Sequence, residues 1–273
     1  MIETISENLV NLKLEFRRIY SGTSHIQEIL PLSESDIFPI PQNDLDSLHY
    51  FLQNNSIYYN TFEEKINAVN CMVYEGDINK YWLNSIGHDS STQPFSPTWM
   101  LTAYIITSIA KILNYKEVLD IGSGDGRIAY CGKILGLNAY GIEIDNMLVD
   151  LQNYISKKTV IDFNPICSDA VTFDYDSLKL TEPAFFIGGL PQMGGDVLAS
   201  NIISNLNNNL KEKTCMVLTG SYSEKYSVND TKDGGWRKLI DDTGLKIIQS
   251  NSLPTVWSFD QTTETPYIFT KFP

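Results

Sequence analysis

The stretch from Lys116 to Asp145 constrains the fold of this chain more than any other. It opens with an apolar run of strand length, Val118 to Ile121, which stops in three glycines at alternate positions, Gly122, Gly124 and Gly126. An apolar pattern at helical spacing follows. A second short apolar strand then ends in a carboxylate, Asn138-Ala-Tyr-Gly-Ile-Glu143. Together these make one βαβ half-unit, with a nucleotide-type crevice at the carboxyl end of its first strand. A strand that turns directly into a helix needs backbone angles that side chains disfavour. A ligand also approaches backbone closely only where no Cβ intervenes. Glu143, at the tip of the second strand, is placed to accept both hydroxyls of a ribose. Glycine-rich turns also occur in plain strand-turn-helix units, and it is Glu143 at this spacing that favours a nucleotide.

The third glycine narrows the choice of nucleotide. Dinucleotide folds use G-x-G-x-x-G, with a small last residue so that helix and strand close around a pyrophosphate. Here Arg127 stands at that last position, after Gly122-x-Gly124-x-Gly126. The segment Asp120-Ile-Gly-Ser-Gly-Asp-Gly-Arg-Ile128 instead resembles the first motif of class I S-adenosylmethionine (SAM)-dependent methyltransferases, and most closely a widespread prokaryotic subgroup of them. The resemblance spans residues 93 to 220 and is specific for cofactor, not for substrate. It implies an α/β fold: a doubly wound, mainly parallel sheet of seven strands whose last strand runs antiparallel. It also implies SAM as cofactor, with Asp120 organising the loop and the methionine end and Glu143 holding the ribose; Gly122, Ser123, Gly124 and Ile144 are further cofactor-binding candidates.

Composition bounds the rest. Apolar residues at 42% and aromatics at 11% indicate a folded globular protein. No run approaches the length of a membrane span, and the amino terminus lacks the basic and apolar regions of a signal peptide. Four cysteines, at positions 71, 131, 167 and 215, form no C-x-x-C pair; Cys167 and Cys215 lie in apolar strands. Buried free thiols, no metal site and a cytoplasmic location are expected. Twenty basic residues against 33 acidic ones give a net charge of −13, which argues against a phosphate backbone as partner.

Residues 1–92 read as a mainly helical N-terminal region, a cap or substrate selector, and 93–273 as the Rossmann-like methyltransferase domain. Ile5, Leu9, Leu12, Phe16 and Ile19 recur at helical spacing. Asp44 is suited to cap a helix through Leu48, Phe51 and Leu52; Phe62, Ile66 and Val69 suggest another helix, and Tyr81 to Leu83 a last one. Residues 31–43, broken by Pro31, Pro39 and Pro41, read as irregular. Helices are expected over 100–113, ahead of the first motif, and over 128–135, 145–157, 197–210 and 236–243 after it. Strands are expected over 163–167, 184–187, 214–219, 245–250 and 267–272.

Further candidates line the crevice. Pro94-Phe95-Ser-Pro-Thr98 resembles the subgroup's turn into the helix beside the motif, which implies that the Thr98 hydroxyl approaches the methionine carboxylate; Trp99 stands where the subgroup has proline. The alternative is that Thr98 or Ser96 caps the helix. Phe95, just ahead, is a substrate-binding candidate. The resemblance places Asp169 and Ala170 at the adenine edge, although aspartate is also an ordinary turn residue there. Asp125 reads equally as a helix cap or a ligand. The fourth strand runs into Gly188-Gly-Leu-Pro191-Gln192-Met-Gly-Gly195, where many amino- and base-methylating relatives carry Asn/Asp-Pro-Pro-Tyr/Phe. Only Leu190-Pro191-Gln192 retains that shape, which speaks against methylation of an adenine or glutamine nitrogen. Gly188 remains a cofactor-binding candidate. Gln192 either presents its amide to a substrate or finishes a turn.

No catalytic base is assigned. His88 is the best candidate by position, but a lone loop histidine is more often solvated than catalytic, and Tyr20 and Tyr222 are no better candidates. The expected activity is methyl transfer from SAM to a small molecule or protein side chain. Two alternatives stay open: aminopropyl or aminocarboxypropyl transfer from the same cofactor, and a non-catalytic binding protein with this fold.

Overall fold

The computed structural model describes residues 2–86, 95–191, 194–220, 235–254 and 265–273. The N-terminal region contains α1 (Ile2–Ile19), β1 (Ile26–Pro31), α2 (Gln42–Gln53), β2 (Tyr58–Ile66), β3 (Val69–Gly76) and α3 (Asn79–Ile86). α1 follows from its spacing: Ile5, Leu9, Leu12 and Phe16 are buried, while Ile19 is exposed. The expected helix through Phe62, Ile66 and Val69 is instead an antiparallel hairpin of β2 and β3, and β1 completes a three-stranded sheet in the order β1-β3-β2. The hairpin turns at Asn67-Ala68, both in the left-handed region with φ of 48° and 66°, as a two-residue turn between twisted strands requires. Asp44 does not cap α2, which starts after Pro41; its carboxylate accepts a 2.6 Å hydrogen bond from Tyr104 Oη.

The remainder is α4 (Met100–Ile112), β4 (Glu117–Ile121), α5 (Arg127–Ile134), β5 (Asn138–Glu143), α6 (Asn146–Thr159), β6 (Pro165–Cys167), β7 (Pro183–Ile187), α7 (Gly195–Asn205), α8 (Asn208–Lys211), β8 (Cys215–Thr219), α9 (Arg237–Thr243), β9 (Lys246–Leu253) and β10 (Thr265–Lys271). The strands form one sheet in the order β6-β5-β4-β7-β8-β10-β9. β6, β5, β4, β7 and β8 pair in parallel; β10 is antiparallel to both β8 and β9. The sheet expected from the sequence, seven strands with the last reversed, is therefore present. One expected helix is divided into α7 and α8 at Leu206, which is extended. Cys167, expected to be buried, is exposed on the edge strand β6, and all four cysteines are free thiols.

Alternation along β4 assigns its two faces. Leu119 and Ile121 join an apolar cluster with α7 and α9. Val118 faces the other way, into a cluster that runs through α4, α5 and α6 and on into α1, α2 and the small sheet. The N-terminal region thus forms an outer layer on one face: α1 packs on α4 and β9, β1 on α4, and α2 on α5 and α6. No helix among the described residues is long and apolar enough to cross a membrane.

Candidate functional site

The strand order reverses between β4 and β7, and open α/β sheets bind ligands outside the carboxyl ends of their strands at such a point. Gly122, ending β4, and Gly188, ending β7, lie side by side there, both exposed. The amide of Gly188 donates to the Ile121 carbonyl at 2.7 Å. A Cβ on Gly188 would sit 2.4 Å from that same carbonyl oxygen, so no larger residue fits. Gly124 has φ +57°, and a Cβ there would fall 2.6 Å from the Phe95 ring. Phe95 therefore lies directly over the glycine loop.

The loop is tied to the tip of β5. The Gly124 amide donates to Glu143 Oε2 at 2.8 Å, and the amides of Ile144 and Asp145 donate to Oε1 at 2.9 and 3.0 Å. Burial raises the Glu143 carboxyl, against the three amides that favour its ionised form. Asp145 caps α6 by accepting from the Met147 amide at 2.8 Å. Gln152, on α6, supports the loop from below: its Nε2 donates to Ser123 Oγ at 2.9 Å and to the Gly124 carbonyl at 2.8 Å. Nothing in the sequence near the motif marks Gln152.

Asp120 is buried, and its Oδ2 accepts no hydrogen bond among the described residues. Burial pushes this carboxyl well up; the Ala129 amide opposes that, and Asp125 and Glu143 add to it. A buried, unsatisfied carboxylate oxygen is costly unless something donates to it. A ligand carrying an ammonium group at this loop fits it.

The other candidates divide. Thr98 does not cap α4: the N-cap residue is Trp99, with no side-chain bond. The Thr98 carbonyl instead accepts from Arg127. Asp169 makes the turn, its Oδ1 accepting from the Val171 amide at 2.8 Å, and the Ala170 carbonyl accepts from Tyr175 Oη at 2.7 Å. Gln192, His88 and Tyr222 lie outside the described residues. Tyr20 donates to Glu75 and is held by Ser24 in the outer layer, and burial followed by Glu75 raises its phenol. His25 pairs with Asp77, while His49 bridges Tyr74 Oη and the Pro31 carbonyl. Among the described residues no His, Cys, Asp and Glu cluster could hold a metal ion.

Arg127 does not face the crevice. It is fully buried, its Nε and Nη2 gripping both oxygens of Asp125, while Nη1 donates to Glu28 Oε1 of β1 and to the Thr98 carbonyl. Asp125 does not cap α5, whose N-cap residue is Gly126. Its Oδ2 also accepts from Asn55 Nδ2 at 2.9 Å. Glu28 Oε2 accepts from the Met100 amide at 2.9 Å. Burial pushes the Glu28 carboxyl up to about 7, against the pull of Arg127.

This has a pH consequence. Glu28 binds its proton more tightly in the folded chain, so its contribution to stability is complete below its ordinary value of 4.5 and is lost as pH rises through about 7. Urea midpoints of wild type and Glu28→Gln, compared at about pH 5 and about pH 8, should therefore differ. The wild type should fall further over that interval; equal changes in both proteins would contradict this account of Glu28.

No family model and no curated protein matches the sequence. Among solved structures, the chain is similar to magnesium protoporphyrin IX methyltransferase from Synechocystis PCC 6803 with bound SAM: 13% identity, 64% of this chain and 79% of that one, TM-score 0.48. It is also similar to the Pyrococcus abyssi tRNA (uracil-54, C5)-methyltransferase, with 14% identity, 65% of this chain and 40% of that one, TM-score 0.47. A third is the ribosomal protein L11 methylase from Lactobacillus delbrueckii subsp. bulgaricus, with 12% identity, 64% of this chain and 79% of that one, TM-score 0.43. The substrates named for these proteins differ in kind, so the likenesses select no acceptor and do not set nucleic acid aside.

Proposed function

We propose that the chain is a SAM-dependent methyltransferase acting on a small molecule or a protein side chain. The observation that carries this reading is the pairing of Glu143 with the loop. A carboxylate at the tip of β5 is held by three amides, one of them from Gly124, beside the buried and unsatisfied oxygen of Asp120. Glu143 Oε2 accepts one protein hydrogen bond, which leaves acceptor capacity for a ribose hydroxyl. Asp120 would receive the methionine ammonium. Asp169 and Ala170 would border the adenine, with Ala170 fixed by Tyr175. Gly122 and Gly188 would let the cofactor approach backbone, and Phe95 over Gly124 would exclude water.

When bound, the cofactor supplies a methyl group activated on a sulfonium. The chain's own task is then alignment and desolvation rather than covalent catalysis. The net charge of −13 favours an acceptor without a phosphate backbone. Free thiols and an apolar core fit the same cytoplasmic reading. Incubation with SAM and fractionated metabolite or protein pools, followed by mass spectrometry of the nucleoside product, tests the reaction. S-adenosylhomocysteine is the expected product. Methylthioadenosine would replace methyl transfer with aminocarboxypropyl transfer, and persistence of intact SAM with every pool would count against catalysis.

A further inference from the structure

Resting on the cofactor reading above, we propose that Glu28 of the outer layer is a positioning residue for the cofactor loop, acting through Arg127. One guanidinium clamps three segments that are distant in sequence. It holds Asp125, which sits between the two left-handed glycines Gly124 and Gly126. It holds the Thr98 carbonyl in the joint that carries Phe95 onto Gly124. Glu28 then anchors the guanidinium from β1 and fixes the first turn of α4 through the Met100 amide. The loop cannot shift without moving Asp125, and Asp125 cannot move without breaking contacts to the outer layer, because Asn55 holds its second oxygen.

The surrounding groups support a cluster balanced in charge. Tyr58 of β2 accepts from Arg127 Nη2 at 3.1 Å. Lys13 of α1 is buried with no hydrogen-bond partner for its Nζ, 5.8 Å from the centroid of a Trp99 ring. Burial lowers its ammonium to about 8, and the Glu28 charge opposes that. Glu28 thus lies between two cations, Arg127, which also pairs with Asp125, and the more distant Lys13. If the outer layer served only to cover an acceptor, its removal from the cluster would leave cofactor affinity unchanged. If it positions the loop, affinity changes although Glu28 touches no cofactor.

Titration calorimetry with SAM on wild type, Glu28→Gln and Asn55→Ala separates these outcomes. Glu28→Gln should weaken binding by about tenfold, since displacement of a loop by a fraction of an ångström disturbs every contact it makes. Asn55→Ala, which strands no buried charge, should weaken it by roughly threefold. Affinity of the wild type should also fall as pH is lowered through about 7, where Glu28 gains a proton, and this component should vanish in Glu28→Gln. Circular dichroism checks folding; if Glu28→Gln does not fold, Asn55→Ala decides. Wild-type affinity in the folded variants, with the same pH profile, overturns the positioning role alone. Absence of binding in the wild type would instead remove the cofactor reading on which it rests.

Discussion

Glu143→Ala should lower the affinity for SAM by about 10- to 150-fold, the equivalent of one charged hydrogen bond at roughly 1.5–3 kcal/mol. The carboxylate would lose its contact with the ribose, and the loop would lose its tether at Gly124. The structure adds a second effect. Glu143 is buried, and its removal unpairs the amides of Gly124, Ile144 and Asp145. Each unpaired amide costs about 1–3 kcal/mol where water cannot replace the carboxylate. The stability of Glu143→Ala should therefore fall as well, and Glu143→Gln is the cleaner probe of affinity because it keeps the shape and one acceptor oxygen. Asp145→Ala is the control. It removes the cap of α6, worth about 1 kcal/mol of stability, and should leave affinity close to that of the wild type.

Arg127→Met should destabilise the folded chain by about 3–5 kcal/mol at neutral pH, the usual cost of breaking a buried ion pair by deleting one partner. Two buried carboxylates, Glu28 and Asp125, would lose their guanidinium, and the Thr98 carbonyl and Tyr58 would lose a donor. Urea unfolding measures the loss. It should shrink under mildly acid conditions, because Glu28 can then be protonated and needs no counter-charge. A variant as stable as wild type at neutral pH would mean that the cluster does not hold the outer layer to the motif.

The parts of the fold legible in the sequence are local ones. Three glycines between a strand and a helix, and a carboxylate at the next strand tip, are contiguous features with one physical meaning, and residues 116–145 fold accordingly. The cap of α6 by Asp145 is equally local, because capping is settled within a few residues. The small sheet was not legible for an equally physical reason. β2 is exposed over most of its length, so it carries no apolar alternation, and its turn is Asn67-Ala68 rather than the Asn-Gly that marks such hairpins. What remained was Phe62, Ile66 and Val69 at a spacing that mimics a helix.

The bulk of Arg127 spoke against a dinucleotide, but its role depends on Glu28, 99 positions away. Gln152 likewise reaches Ser123 across 29 positions. No periodicity encodes such pairings; only the packing of the outer layer on α4 and α5, and of α6 beneath the loop, creates them.

The central claim is that the glycine loop, Asp120 and Glu143 form a SAM site. Calorimetric titration of SAM into the wild-type chain tests it most directly. Saturable binding at one site per chain is the predicted result. No heat of binding, together with no ligand-dependent rise in melting temperature at about millimolar SAM, would contradict it.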